Sequence, residues 1–342
     1  MPVDTVELTT VADDLAVLHL GEQVFRYEDL QPDTVYELHG VALRTLPRPP
    51  GELLARIATV NDLHFGETEC GRIDGRPDGP IVRVHPGEEP YPELMNRSAA
   101  DEIAAIDAAA VIVKGDLSCD GTEAEWSAFE ACYSRFGDRL HVTRGNHDAY
   151  EGQNRYAGDQ WIELPGISIA LLDTVLPGAT PGDLTGDQID WLADHLSAAD
   201  SDRPVLLLGH HQQWIRGAED VDSSEALFGL QPGASDALDA LCAADRRVIG
   251  YAAGHTHRHR VRRMVRSDAA SIEVGCVKDF PGAWAEYRVF EGGVMQVVHR
   301  VSSPAALAWS NRCRWLYRDF GVHYEAYAMG DLSARCFVFD SR

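Results

Sequence analysis

Apolar and polar positions alternate in short runs over residues 3–46: Val6/Leu8, Val17/Leu18/Leu20, Val24/Phe25/Tyr27, then positions 35–46. Asp13-Asp14, Gly21-Glu22 and Gln31-Pro32-Asp33 separate the runs, so the pattern predicts a small β-rich region. Pro47-Arg48-Pro49-Pro50-Gly51 closes it. From Ala55 the period changes to strands alternating with helices. Residues 56–60, 111–114, 140–143, 167–172, 204–208 and 248–253 read as strands. Between them the pattern predicts a helix over 96–110, with Ser98 and Asp101 at capping-box spacing. A second helix starts at Thr122-x-x-Glu125, buries Trp126, Phe129, Cys132, Tyr133 and Phe136, and stops at Gly137. A third has Thr185 and Gln188 as its box and Leu184/Ile189 as its staple, and a short one covers 235–244. Strands over 271–277, 284–290 and 294–299 suggest an antiparallel edge or a second sheet. Residues 67–94, rich in glycine, proline and charge, are too long for an ordinary connection. Residues 304–342 are an aromatic-rich tail with no clear period.

Five of the strands end in side chains with coordinating chemistry: Asp62/His64, Asp116, Asn146/His147, His210 and His255/His257. In α/β sheets ligands bind outside the carboxyl ends of strands, so residues far apart in sequence converge there. Asp-x-His and His-x-His in extended chain put both side chains on one face. The stretch Arg144-Gly145-Asn146-His147-Asp148-Ala149-Tyr150 adds three chemistries in a row. An amide offers a neutral oxygen to a metal, an imidazole moves protons near neutral pH, and a carboxylate can orient that imidazole. Each item alone has a bland reading. Asp62 or Asp116 serves equally as a cap or turn residue, Gly145-Asn146 as a turn, and His210-His211 as one core and one exposed histidine. Five coincidences at successive strand ends outweigh those readings.

Composition narrows the field. At 342 residues one main domain with appendages is expected, and the 45% apolar, 25% charged balance describes a soluble globular chain. The start of the chain has no basic n-region or apolar h-region, and no apolar run reaches membrane-span length. A net charge of −24 makes a nucleic-acid polymer or an anionic membrane a poor partner. The seven cysteines (70, 119, 132, 242, 276, 313, 336) show no CxxC spacing. They read as reduced thiols of a cytoplasmic protein, which sets aside a zinc–thiolate site.

Two resemblances follow from these residues. Leu30, Pro32, Thr34 and Tyr36 have a spacing that resembles the tyrosine corner of fibronectin type III modules, in a region half the length of a full sandwich. Asp62-Leu63-His64, Gly115-Asp116, Gly145-Asn146-His147-Asp148, Gly209-His210 and Gly254-His255-Thr256-His257 resemble, in order, the signature of the calcineurin-like metallophosphoesterases. The likeness covers roughly residues 55–300. It implies an α/β fold of four layers, αββα, divided here as a β-rich region 1–50, a phosphoesterase domain 51–303 and a tail 304–342. It implies two metal ions (manganese, iron, zinc or cobalt): Asp62, His64 and His257 on the first, Asn146, His210 and His255 on the second, Asp116 bridging both. It also implies attack by a hydroxide shared between the metals, with His147 as general acid oriented by Asp148. Nitrogen and oxygen ligands without cysteine suit those metals.

The expected activity is hydrolysis of small phosphodiesters, of cyclic nucleotide or glycerophosphodiester type. A phosphomonoesterase with the same metals, or a catalytically silent scaffold, is the alternative; a homodimer is possible. Candidate substrate contacts are Phe65, His211, Trp214 and His259, with Arg216 the one cation close after His210. Gln212-Gln213 stands where many relatives in the family have proline, a departure that bears on loop shape. In the 67–94 segment, His85 and Tyr91 are further candidates for reaching a substrate.

Overall fold

The computed structural model describes residues 5–73, 80–200, 202–215 and 228–340. Near the N-terminus β1 (Glu7–Val11), β2 (Ala16–Leu20) and β3 (Gln23–Tyr27) form an antiparallel sheet, and β4 (Val35–Leu38) and β5 (Val41–Arg44) a hairpin. Tyr36 Oη accepts from the Gln31 backbone N–H at 2.9 Å, the hydroxyl-to-backbone tie that a tyrosine corner makes.

Two six-stranded sheets follow. The first holds β6 (Leu53–Val60), β7 (Ala110–Lys114), β8 (Leu140–Thr143), β15 (Ala283–Phe290), β16 (Gly293–Arg300) and β17 (Cys336–Val338), in the order β17-β16-β15-β6-β7-β8. The second holds β9 (Gln160–Leu164), β10 (Ile167–Leu171), β11 (Val205–Leu208), β12 (Val248–Ala253), β13 (Arg260–Arg263) and β14 (Ala270–Glu273), in the order β13-β14-β12-β11-β10-β9. The expected strand at 271–277 is β14, parallel to β12 in the second sheet, whereas β15 and β16 are antiparallel members of the first.

The faces explain the layering. Ile57 and Ile112 of the first sheet meet Ile169, Leu206, Leu208 and Ile272 of the second in one apolar cluster. The alternate residues point outward. Ala58, Val60, Val111 and Val113 pack under α1 (Tyr91–Ala105), α2 (Glu123–Tyr133) and a later helix, α5 (Pro304–Cys313). Leu207, Tyr251 and Ala253 pack under α3 (Gly186–Ala198) and α4 (Pro232–Ala244). The result is helix, sheet, sheet, helix. The N-terminal sheet lies over the outer face of β16 and β17, where Ala12, Leu15 and Val17 meet Met295, Val297 and Cys336. Arg288, buried, pairs there with Asp13 at 2.8 Å and Asp14 at 2.7 Å.

Both strong capping boxes form: Thr122 with Glu125 and Thr185 with Gln188. The box expected at Ser98 does not. α1 begins at Tyr91 with Pro92 in its first turn, and Ser98 Oγ donates to Leu94 O inside the helix. Residues 304–340 are built into the domain: α5 covers the first sheet, α6 (Tyr324–Met329) and α7 (Leu332–Arg335) follow, and β17 pairs with β16. No described helix is long and apolar enough to cross a membrane.

Candidate metal centre at the strand ends

Register brings the chemistry together. β6 and β7 are parallel with Val60 opposite Val113, and β7 and β8 with Lys114 opposite Thr143, so three strands leave the first sheet at one end. β11 and β12 leave the second sheet with Leu208 opposite Ala252. The backbone then turns sharply. Asp62 (φ 55°), His64 (φ 50°), Asp116 (φ 51°), His255 (φ 67°) and His257 (φ 53°) all have left-handed backbone. A residue with a side chain pays about 1–3 kcal/mol for such a conformation, and it persists where surrounding packing imposes it. Gly115 takes φ 85° among them, and a Cβ there would lie 2.5 Å from His210 Nδ1.

These turns aim ligand atoms into two groups that meet at Asp116. His257 Nε2 lies 3.6 Å from Asp62 Oδ1, and Asp62, His64 and His257 bring their ligand atoms within 4.8 Å of one another. His64 Nε2 and His210 Nε2 lie 3.5 and 3.3 Å from the same atom, Asp116 Oδ2. His210 Nε2 also faces Asn146 Oδ1 at 3.0 Å. Asn146 is held by its amide, whose Nδ2 donates to Tyr150 Oη at 2.6 Å. Asp62 accepts from the His255 backbone N–H at 3.0 Å and from Asn61 Nδ2 at 2.5 Å. Asp116 Oδ1 accepts from the His147 backbone N–H at 3.0 Å.

The donor set fits a pair of cations. Both ring nitrogens of His64 are buried with no hydrogen-bond partner among the described residues, a costly state that a metal ion relieves. His210 Nδ1 donates to Lys114 O at 2.8 Å, which in a neutral ring leaves the Nε2 lone pair pointing at two oxygens. Burial works against charge on His210, but the carboxylates of Asp116 and Asp62 outweigh it and push its imidazole up to about 9. A proton at Nε2 is thus held where a cation would sit. Burial also disfavours charge on Asp116, yet the imidazoles of His210, His147 and His64 hold its carboxyl well below the usual range. His255 is pushed down to about 3 by burial and by His210, so its ring stays neutral and able to coordinate.

Several expected contacts lie elsewhere. Asp148 was expected beside the His147 ring; it accepts instead from the backbone N–H groups of Leu117, Ser118 and Gly145 at 3.1, 2.9 and 2.8 Å. It stitches two ligand-bearing turns together. The His147 ring is held by Cys119 O, 2.8 Å from Nδ1. Phe65 follows the left-handed turn at His64, which sends its ring into the helix layer against Phe129. His259 is buried and its Nδ1 accepts from the Gly275 N–H at 3.0 Å. His211 is fully buried, with Nδ1 on Thr174 Oγ1 (2.8 Å) and Nε2 on Thr180 O (3.0 Å). Trp214 lines a separate small cavity with Ile215, Ser235 and Val265. None of these four reaches the cavity over the metal ligands, and Arg216 lies outside the described residues. In the 67–94 segment, Tyr91 is buried, stacked on Trp309 and bonded to Glu67 Oε2, while His85 is exposed.

That cavity, about 460 Å³, is walled by residues the sequence pattern did not single out. Lys278, Tyr317, Tyr327 and Phe228 face the ligand side formed by His64, Asp116, Asn146, His147, His255 and His257. Lys278 Nζ is buried between Glu67 Oε2 (2.7 Å) and Asp279 Oδ2 (3.1 Å), and Asp279 Oδ2 lies 3.6 Å from His257 Nδ1. The one local signal was the adjacent Lys278-Asp279 pair after an apolar strand, too common to stand out.

The family model of the calcineurin-like phosphoesterases matches residues 55–259. A probable cyclic nucleotide phosphodiesterase of Synechococcus is 30% identical over 228 residues, 63% of this chain and 79% of that protein. A probable glycerophosphodiester phosphodiesterase of Arcobacter nitrofigilis is 29% identical over 160 residues, 43% of this chain and 56% of that protein. The match to a 3′,5′-cyclic adenosine monophosphate phosphodiesterase of Pseudomonas aeruginosa, 29% identical, spans about half of that protein's length, 47%. Among solved structures, a dimetal phosphatase from Danio rerio superposes with a TM-score of 0.56 at 16% identity, over 73% of this chain and 98% of that one. A purple acid phosphatase from yellow lupin seeds superposes with a TM-score of 0.53 at 13% identity, over 85% and 57%. Both share the fold.

Proposed function

Because this chain belongs to the calcineurin-like phosphoesterase family, and so hydrolyses phosphoester bonds at a binuclear metal site, we propose that its substrates are small phosphodiesters. One ion would be held by Asp62, His64 and His257, the other by Asn146, His210 and His255, with Asp116 common to both. Bound ions of the manganese, iron, zinc or cobalt type would supply charge neutralisation at the phosphoryl oxygens and activation of water. The protein's own part begins with His147. Its Nδ1–H is committed to Cys119 O, so Nε2 is the atom that delivers a proton to the departing alkoxide. Asp148 acts one step back, fixing the turns that carry Asp116 and Asn146.

The observation that carries the diester reading is the pairing of the cavity's cations. Lys278 is neutralised between Glu67 and Asp279, and Arg72 is exposed, 3.7 Å from Glu69. Among the described residues the cations lining the cavity are thus Lys278, paired on both sides, and Arg72, exposed and sharing Glu69 with Arg83, so no buried unpaired Arg or Lys stands ready to clamp a second phosphoryl charge, which favours a singly charged diester. Relatives named for cyclic nucleotides and for glycerophosphodiesters support the same class. The free cysteines suit a reducing, cytoplasmic setting.

The test compares kcat/KM for bis-aryl phosphate and for the matching monoester with manganese at one pH, with metal analysis of the same samples. A higher value for the diester is expected; a clear monoesterase preference overturns the reading. His147→Ala in the same assay keeps its metals and loses about 10²–10⁴-fold in rate, most with poor leaving groups. Equal loss for good and poor leaving groups removes the proton-donor role.

A further inference from the structure

The segment after residue 303 does more than close the sheet. It approaches the ligand-bearing loop 255–259 at several points. Tyr327 Oη donates to Thr256 O at 3.0 Å, between two proposed ligands, and the His259 N–H donates to Ala328 O at 3.1 Å. Tyr324 Oη donates to Asp279 Oδ1 at 3.0 Å, and Trp309 Nε1 to Lys278 O at 2.9 Å. The backbone bends to make this approach: Tyr317 itself is left-handed, φ 63°. Its ring meets Tyr324 edge-on at 5.4 Å.

The outcome is a wall of two tyrosine rings beside the metal ligands. Tyr327 is 39% exposed with its hydroxyl tied down, so its ring is a fixed plane. Phe228, 49% exposed, lines the same cavity. Large apolar side chains left exposed around a cavity mark a binding surface for something apolar and flat. The size agrees, since pockets for small organic ligands run from about 300 to 1,000 Å³. Charge narrows the choice further. The Arg258 guanidinium lies 5.0 Å over the Tyr327 ring. An aromatic wall already facing a guanidinium is a poor cage for a cationic head group such as choline, whereas a neutral planar arm can stack on it.

We propose that Tyr317 and Tyr327 form a stacking platform for a planar aromatic arm of the substrate, so that the segment after residue 303 selects nucleoside-type over glycerol-type phosphodiesters. This rests on the phosphodiester reading above, and the experiment separates the two.

Binding is measured first, on the metal-loaded protein, with 5′-AMP and with inorganic phosphate as probes. AMP should bind at least about tenfold tighter than phosphate, the order expected for one stacked base. Tyr327→Ala should remove that preference with metal content unchanged, and Tyr327→Phe, which keeps the ring, should retain it. No preference for AMP, or a preference that survives Tyr327→Ala, overturns the platform whatever the enzyme hydrolyses. Hydrolysis of 3′,5′-cyclic AMP and of glycerophosphocholine is measured next. Relative to Tyr327→Phe, which lacks the same hydroxyl tie to Thr256, Tyr327→Ala should raise KM for the cyclic nucleotide about tenfold more than for the glycerol diester; equal changes overturn the selection. A wild type that binds AMP through Tyr327 but cleaves neither diester sinks the phosphodiester reading and leaves the platform standing.

Discussion

His210 and His257 lie in opposite halves of the proposed metal pair, and their second ring nitrogens meet different partners. His210 Nδ1 donates to the backbone of β7, and the ring is fully buried. His257 Nδ1 faces the carboxylate of Asp279 at 3.6 Å, and its side chain is 23% exposed. The half around His210 is thus assembled by strands and turns within the family-matched region, with Tyr150 fixing the Asn146 amide. The half around His257 leans also on later chain. Asp279 is held in turn by Lys278, by Tyr324 and by Cys276, whose Sγ donates to Asp279 Oδ1 at 3.0 Å. Paired positive charge outweighs burial there and keeps the Asp279 carboxyl well below its ordinary range. A common ligand motif therefore rests on two kinds of support, one built into the sheets and one supplied by the C-terminal part of this chain.

The largest effect should come from the residue both halves share. Asp116→Asn is expected to lose most activity and most of both ions while the far-UV circular dichroism stays native. Near-normal metal content with near-normal turnover would dismantle the shared-bridge assignment. Asp279→Asn tests the asymmetry itself. Removing the carboxylate behind a metal-binding imidazole typically costs about 10–100-fold in affinity. One of the two ions should therefore weaken by that much while the other is retained, as read by calorimetric titration; equal weakening of both would erase the distinction between the halves. Tyr150→Phe should matter least. It removes one hydrogen bond from the Asn146 amide, worth about 1 kcal/mol, and should loosen the ion on Asn146 by about tenfold at most. A loss as large as that from Asp279→Asn would reverse the ranking.

The ligand motifs were legible because each is local: a buried strand, a short polar or glycine exit, then the side chain. Thr122 and Thr185 were legible for the same reason, since a capping box is complete within four residues. The start of α1 was not. Ser98 and Asp101 have box spacing, but the helix starts earlier, with Pro92 in its first turn and Tyr91 stacked on Trp309, far along the chain. β13 was missed because Arg260–Arg263 carries three arginines, two of which, Arg260 and Arg262, pair with the buried Glu273 of the neighbouring strand. β17 is three residues long and has no period to read. The substrate contacts went astray for two physical reasons. The left-handed turn at His64 rotates Phe65 out of the cavity, while His211, Trp214 and His259 are taken up by tertiary contacts that no local pattern shows. Tyr317, Tyr327 and Lys278 reach the cavity only through tertiary packing.

Between the two sheets nearly everything is aliphatic, and such a contact has strength without direction. Interdigitated side chains already resist a shift of one layer on the other, and a cluster of coordinating atoms tolerates smaller errors still. The first sheet carries Asp62, His64, Asp116 and Asn146, and the second carries His210, His255 and His257. Ions bound among them would act as a rivet through both plates, fixing their alignment at one end and leaving the other end free to breathe. The molecule would then be stiffest where it performs chemistry, and its metals would be part of its mechanics as well as of its reaction.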